Sequence, residues 1–232
     1  MSSDYPPWAA GFEASDPARA AALLLVPPQG RLMLAALHAL VDEFHRAARA
    51  SQEPMLNEIR LQWWIDAVSR LPEGQGQHPI LEMLVEYWGD AAPGLAALGE
   101  GERSACEDET HEAILTRIDA TAGALAWRGA SVLGAGPEAE EAVRAQGRAL
   151  GVAAELAHWD GEVAPLREVG QQAARTAASK AGTVPRSAAP VLFAGAAAAC
   201  RLAGKPAPSE FARRKAVMGF ALTRNWRIKL PG

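Results

Sequence analysis

The chain is poor in the residues that build disulfide frameworks, zinc sites and β-sheets. Its 232 residues include only two cysteines, Cys106 and Cys200, and neither has partners at metal-ligand spacing. A zinc site or a disulfide-stapled fold is therefore not expected, and both thiols are predicted to be inert in a reducing compartment. Two tyrosines and five phenylalanines argue against sheets, whereas abundant alanine favours tightly packed helices.

Several signatures of function are also missing. The longest apolar run, residues 188–200, is too short and too rich in alanine to span a bilayer. The N-terminal residues lack the basic and apolar regions of a signal peptide, so a cytoplasmic location is expected. There is no HExxH pair, no G-x-S-x-G elbow and no glycine-rich phosphate loop. The net charge of −4 argues against a nucleic-acid partner.

Helical periodicity is present along nearly the whole chain. After an irregular arm over residues 1–15, the spacing of apolar residues predicts a single all-α domain over residues 16–232. A first helix is predicted to start at Pro17, and further helices are predicted over residues 31–50, 55–71, 78–88, 107–134, 138–159, 165–183, 186–202 and 208–228. Proline and glycine mark most of the boundaries between them.

The helix predicted over residues 55–71 is apolar over a wide arc. One face carries Leu61, Trp64, Ile65 and Val68. Trp63 lies about 100° away from Trp64, so the two indoles cannot share one face. We therefore expect this helix to be covered on several sides. The residues expected in the core are Leu37, Trp64, Ile65 and Leu150.

Residues 12–71 carry a family resemblance. Asp16, Pro17 and Arg31, with the segments LLLVPP, LAALHAL and RLQWWIDAV, resemble the opening of the squalene/phytoene synthase family. The resemblance implies an isoprenoid-synthase-like helical bundle. Active members of that family join prenyl diphosphates head to head, using two aspartate-rich motifs that hold Mg²⁺ against the substrate. Because Mg²⁺ takes oxygen ligands, this chemistry requires the carboxylates.

The chain departs from the first aspartate motif. The positions that match its aspartates carry His45, Arg46 and Arg49, which reverses the sign of the charge. The nearby carboxylates, Asp42 and Glu43, are adjacent in sequence and therefore diverge around the helix. The sequence predicts that no metal binds at this position.

The second motif is also incomplete. The segment from Leu150 to Glu155 resembles the L-G-x-A-x-Q segment that precedes it in the family. This register places Gly161 and Glu162 at the family's R-D pair and Leu166 at its last aspartate, so one carboxylate remains at most. No cofactor is expected; Mg²⁺ would be needed only if the chain were an active transferase.

Two function classes follow from this pattern. One branch of the family lacks the aspartate motifs in a similar way, keeps an RLxWW-like helix and helps to assemble respiratory complex I. The resemblance to that branch implies a non-catalytic binding or assembly factor. Its expected partner is a complex I assembly intermediate, an anionic membrane surface or an isoprenoid lipid, at the periphery of the inner membrane. The alternative is a divergent prenyl-diphosphate transferase or isoprenoid-lipid-binding protein in which Arg46 and Arg49 contact the diphosphate directly.

The candidate ligand- or partner-binding residues lie on the motif helices. They are Asp42, Glu43, His45, Arg46, Arg49, Arg60, Trp63, Trp64, Asp66 and Glu155. For Arg60 and Asp66 a structural role is also open, because both can form buried polar contacts on the tryptophan helix. Asp66 can reach Gln62 or Arg70 at a spacing of four residues.

Residues 100–112 form an acidic segment with two interpretations. Asp108, His111 and Glu112 have the spacing of metal ligands on one helical face. The favoured interpretation is a solvated helix start, because acidic residues in a first turn complement the helix dipole.

The C-terminal end is basic. From residue 201 onward only Glu210 is acidic, against Arg201, Lys205, Arg213, Arg214, Lys215, Arg224, Arg227 and Lys229. An apolar stripe runs beside this charge, through Phe211, Met218, Leu222 and Trp226. The pattern permits a membrane surface or an acidic partner at Arg213, Arg214, Lys215, Arg224 and Arg227. The favoured alternative is a C-terminal helix that packs its apolar stripe on the core.

Overall fold

The computed structural model describes residues 17–73, 78–106, 110–159 and 162–230. Within these ranges there is no β-strand, and nine α-helices have eight residues or more, so the predicted all-α class is confirmed. The predicted arm over residues 1–15 lies outside the described residues. The described chain forms two compact units, residues 28–121 and residues 17–27 with 122–230. The single domain expected from the sequence stays a prediction.

Helices make up both units. The first unit contains α2 (Pro28–Arg49), α3 (Pro54–Ser69), α4 (Pro79–Trp88), α5 (Ala96–Glu100) and α6 (His111–Ile118), with 3₁₀ turns at Leu71–Glu73, Gly89–Leu95 and Arg103–Cys106. The second contains α1 (Pro17–Leu23), α7 (Ala124–Val132), α8 (Glu140–Glu155), α9 (Val163–Ser179), α10 (Gly195–Leu202) and α11 (Glu210–Thr223), with 3₁₀ turns at Pro137–Ala139, Ala181–Thr183 and Ala189–Leu192. A π-helical turn, Asp119–Gly123, joins α6 to α7.

The core of the first unit is built around α2, which packs against α3 and α4. Leu37 and Phe44 of α2 are completely buried. Proline occupies the first turn of α3 and of α4, where its missing N–H and fixed φ favour a helix start. The indole of Trp88 at the end of α4 donates a hydrogen bond to the carbonyl of Met33, 3.0 Å away, which fixes α4 on α2.

Gly99 allows α5 to approach the two long helices closely. A Cβ placed on Gly99 would lie 2.7 Å from Cγ1 of Ile65 and 2.8 Å from Cε1 of Phe44. Both distances are shorter than van der Waals contact, so only glycine fits here without a shift of the core. This close approach positions the segment that follows α5, which carries the candidate site.

The second unit is packed largely through alanine. Helices α8 and α9 pack against each other, and their buried residues include Ala142, Ala149, Ala173 and Ala177. At Gly147 of α8 an added Cβ would lie 2.5 Å from the carbonyl oxygen of Ala122. Small side chains therefore let the helix backbones come close, as the abundance of alanine predicts.

A buried glutamine and an aromatic pair hold the C-terminal segment in the second unit. The amide of Gln146 donates to the carbonyls of Leu192 and Trp226, at 2.9 and 3.2 Å. The ring of Phe220 on α11 stacks on Phe193 with centroids 4.4 Å apart. Helix α11 is thus fixed from one side, and the chain that follows it folds back onto the core.

Several helix boundaries differ from the prediction. The helix predicted over residues 138–159 ends at Glu155, and the one predicted over residues 165–183 ends at Ser179. The helix predicted over residues 186–202 starts only at Gly195, because a 3₁₀ turn with Pro190 precedes it. The last helix ends at Thr223 and not at residue 228. There, Arg224 adopts a left-handed conformation with φ of 57° and donates its N–H to the carbonyl of Phe220 at 2.7 Å. The helix predicted over residues 107–134 is interrupted by the π turn.

The burial of most predicted core residues is confirmed. Leu37, Trp64 and Ile65 are 0%, 8% and 4% exposed. Leu150 is only half-buried, and the expectation that α3 is covered over a wide arc is wrong, because Trp63 is 55% exposed. Helix α3 packs on α2 along one side and on α5 along another, and the indole of Trp63 projects away from both.

Candidate functional site

A buried carboxylate, Glu102, lies against the C-terminal turns of α2. It is 0% exposed, and its oxygens lie 3.1 Å from Nδ1 of His45 and 3.0 Å from Nη1 of Arg49. They are two of the three residues that the family resemblance aligns with aspartates. The structure therefore brings them together around a carboxylate, and the prediction that Glu102 belongs to a solvated segment is wrong.

Local geometry explains this arrangement. His45 and Arg49 are four residues apart on α2 and so share one face of the helix. Glu102 is held in a tight turn after α5, in which its N–H donates to the carbonyl of Gly99 at 2.9 Å. Arg46 points elsewhere and pairs with Glu43 at the surface. Arg46 is thus outside the cluster formed by Glu102, His45 and Arg49, which we call the Glu102 cluster.

His45 and Arg49 determine the charge state of the buried carboxylate. Burial tends to raise the pKa of Glu102, but the neighbouring His45 and the charge of Arg49 outweigh it and lower the pKa below the usual 4.5. Glu102 is therefore ionised at neutral pH. Its two partners are about two-fifths exposed, whereas the carboxylate has no access to water.

A second polar network ties the tryptophan helix to the same segment. The guanidinium of Arg103 pairs with Glu58, Glu100 and Gln62. Gln62 donates in turn to Asp66 at 2.7 Å, and Asp66 also lies 3.6 Å from Arg70. Both contacts predicted for Asp66 are present, although at the surface. Arg60 is exposed, so the interpretation that it makes a buried polar contact is wrong.

The positions of the first motif do not fit Mg²⁺. Two of the side chains there, His45 and Arg49, contact the buried carboxylate of Glu102, and the third, Arg46, is paired with Glu43. A metal ion bound to these carboxylates would lie close to the basic side chains that contact them, about 3–4 Å away, and would be repelled by their positive charge. Across the part of the chain that the structure describes, no group of three or more His, Cys, Asp or Glu side chains could hold a metal ion.

The remaining predicted residues lie apart from this cluster. Asp108 falls outside the described residues. Thr110 caps α6 by accepting the N–H of Ala113 at 3.2 Å, and Glu112 lies in the first turn, as expected for an ordinary helix start. Glu155 is half-buried at the end of α8 in the second unit, and Leu166 is buried.

A surface pocket of about 640 Å³ opens between α5 and α6. Its polar lining includes Glu100, Glu112 and Arg117, and its aliphatic lining is limited to Ala97, Ala113 and Ala120. Ligand sites for apolar molecules are lined by larger hydrophobic and aromatic side chains. This pocket therefore does not have the wall that a long isoprenoid chain requires.

Helix α3 displays an apolar face to solvent. Met55, Ile59 and Trp63, which are 75%, 60% and 55% exposed, succeed each other at intervals of four residues, and Leu56 beside them is 40% exposed. We call this surface the α3 face. Trp64, by contrast, is packed edge-on between Trp63 and His78, with centroids 5.0 and 4.9 Å away. The two indoles therefore have separate roles, one in the core and one at the surface.

The basic C-terminal region also exposes apolar residues. Arg213, Arg214, Lys215 and Arg227 are exposed, and Arg224 is half-buried as the cap of α11. Phe211, Met218 and Leu222 are exposed as well, so the expectation that this stripe packs on the core is wrong. Phe220, on the opposite side of α11, is the residue that packs inside. Trp226 of the expected stripe is buried because the helix has already ended.

Comparison with known proteins leaves the resemblance untested. No protein-family model matches the chain, and neither a curated protein nor a solved structure matches it. None of the helices in the described ranges has the length and apolarity needed to cross a membrane.

Proposed function

We propose that this protein is a non-catalytic binding or assembly factor related to the squalene/phytoene synthases, and that it serves the assembly of respiratory complex I. The observation that carries the proposal is the α3 face. This helix contains the segment most similar to the family, yet Trp63 points to solvent. An exposed tryptophan beside the exposed side chains of Met55, Leu56 and Ile59 is typical of a surface that a partner covers.

The charge around the α3 face favours a protein partner. Arg60 is exposed beside it, and Asp66 and Arg70 continue the helix surface toward its C-terminal end. Protein interfaces combine a centre of aromatic residues and methionine with a rim of mixed charge. Covering Trp63 and Ile59 would contribute roughly 1–2 kcal/mol each, scaled from about 1.5–3 kcal/mol for a fully exposed side chain.

The Glu102 cluster supports the non-catalytic half of the proposal. A diphosphate bound directly by arginine would need free guanidinium groups, but Arg49 is bound to Glu102 and Arg46 to Glu43. Phosphate oxygens would have to compete with carboxylates that are already in place. The alternative, a divergent prenyl-diphosphate transferase or an isoprenoid-lipid binder, is therefore less well supported.

Deletion of the gene separates the two functions. We expect the deletion strain to lose assembled complex I, measured as NADH oxidation in membranes and as the intact complex on native gels, without a change in carotenoid, hopanoid or squalene levels. Loss of a prenyl product with intact complex I would replace the proposal with the transferase.

Complementation then tests the α3 face. A double variant, Ile59→Ala with Trp63→Ala, should fold normally, because both side chains are exposed, but should not restore complex I. Val85→Ala is the matched control, since Val85 is 50% exposed on α4 of the same unit. Full rescue by the double variant would show that the partner binds elsewhere.

A further inference from the structure

We infer that α11 is a membrane-docking helix that lies on an anionic lipid surface with Phe211, Met218 and Leu222 inserted among the headgroups. This inference goes beyond the assembly role, because it concerns the second unit and a lipid partner that can be tested with the purified protein.

The exposed apolar residues of α11 lie along one side of the helix. At 100° per residue, Phe211, Met218 and Leu222 fall within about 40° of one another. They are 76%, 66% and 79% exposed, which is unusual for three large apolar side chains on one 14-residue helix. The opposite side of the helix is occupied by the core contact of Phe220, so the stripe cannot turn inward without unpacking that ring.

Basic side chains flank the stripe on both sides. Arg214 lies about 60° from Phe211 on one side and Lys215 about 40° on the other, and both are exposed. Long basic side chains at these positions reach headgroup phosphates while their stems cover apolar surface. Arg214 also pairs with Glu210, the single acidic residue of the helix, at 2.9 Å, so a headgroup phosphate has to displace this exposed carboxylate at Arg214.

Charge and shape together select an anionic membrane over the other occupants. Helices that lie in a membrane interface carry arginine and lysine beside a large apolar side chain such as phenylalanine or leucine. A second copy of α11 would place like charges opposite each other, which is unfavourable. Arg227 and Lys229 are also exposed, in the chain that follows the helix.

The fold holds the helix ready for docking. Ser209 caps its start by accepting the N–H of Ala212 at 3.3 Å. Its end is closed by the left-handed Arg224, whose N–H donates to the Phe220 carbonyl at 2.7 Å. The helix therefore does not need to form on the membrane, and the ordering cost that an unfolded amphipathic segment would meet is avoided.

Vesicle sedimentation tests the inference. We expect the full chain to bind vesicles of phosphatidylcholine mixed with phosphatidylglycerol, to bind pure phosphatidylcholine much more weakly, and to lose affinity as salt is raised. Phe211→Ala with Leu222→Ala should reduce binding at least about tenfold, since two large side chains no longer insert. Arg214→Gln with Lys215→Gln should reduce it by a similar factor, about tenfold, on anionic vesicles only.

A matched charge control is available in the same unit. Arg144→Gln with Arg175→Gln removes two exposed arginines from α8 and α9, and binding should change less than about twofold. Thermal unfolding must be the same for all variants, since every substituted side chain is at the surface. Three results would each overturn the inference. They are unchanged vesicle binding by both α11 variants, an equal loss of binding in the control, and a protein that does not bind vesicles but self-associates in a way that is lost with Phe211→Ala.

Discussion

Removing Arg49 should destabilise the protein more than removing Glu102, although the two residues belong to one ion pair. The asymmetry follows from exposure. The side chain of Glu102 is 1% exposed and that of Arg49 is 41% exposed. When Glu102 is replaced, water can solvate the arginine. When Arg49 is replaced, the carboxylate stays buried with His45 as its remaining partner.

The magnitudes can be bounded from these contacts. Breaking a fully buried pair by removing one partner costs about 3–5 kcal/mol, and a hydrogen bond to a charged group contributes about 1.5–3 kcal/mol. Because Arg49 is partly exposed and His45 remains, we expect Arg49→Met to lower the free energy of unfolding by about 2–4 kcal/mol. Glu102→Gln leaves His45 and Arg49 partly exposed to water beside a neutral buried amide, so its cost should be about 1–2 kcal/mol.

Urea unfolding at pH 7, followed by circular dichroism, measures these changes in the free energy of unfolding. The dependence of that free energy on urea concentration should be the same in all variants. Compared with Arg49→Met alone, the double variant Arg49→Met with Glu102→Gln should lose less than about 1 kcal/mol of further stability, because no buried charge is left unpaired. Arg46→Met is the matched control on the same helix; its side chain is 66% exposed and should contribute at most about 1 kcal/mol. If Glu102→Gln costs more stability than Arg49→Met, or if the two costs add in the double variant, the buried carboxylate is not the partner that depends on the ion pair. Either result would refute the reasoning.

Three further measurements probe the same structure. The pKa of Glu102 in the fold lies below its unfolded value of 4.5, so its contribution to stability is present above that pH and is lost as the pH falls through the lower, folded value. The difference in unfolding free energy between wild type and Glu102→Gln should therefore shrink in acid. A difference that widens would contradict this. Gly99→Ala should lower the urea midpoint by the equivalent of about 1–3 kcal/mol, because its methyl group would meet Phe44; an unchanged midpoint would mean that α5 can move away. Phe220→Ala should cost about 3–5 kcal/mol by leaving a cavity beside Phe193, visible as a lower thermal midpoint, whereas a cost below about 1 kcal/mol would show that α11 is not anchored by this ring.

Local patterns in the sequence were sufficient for the helices and for one face of most of them. The prolines at the starts of α3 and α4 act within one turn, and the apolar repeat that buries Trp64 and Ile65 is a property of the helix itself. Contacts at a spacing of four residues, such as Gln62 with Asp66, were predictable for the same reason.

Only part of the candidate site could be predicted from the sequence. His45 and Arg49 stood out because their charge opposes the motif that the segment resembles. Their partner did not, since Glu102 is 53 residues from Arg49 and lies in an acidic run that is typical of a solvated segment. The close contact of Gly99 with the core, which places Glu102 under α2, is made only when three helices meet.

Which apolar face becomes buried was likewise decided by tertiary structure. Helices α3 and α11 each carry large apolar residues on two sides, and periodicity alone does not say which side a neighbouring helix will cover. In α3, Trp64 is buried against His78, whereas Trp63 is left in solvent. In α11 the ring of Phe193 selects Phe220 and leaves the stripe of Phe211 outside. Local propensity and periodicity are enough for these helices to form. Packing against distant residues sets the surfaces they present, because burial depends on partners that lie far along the chain.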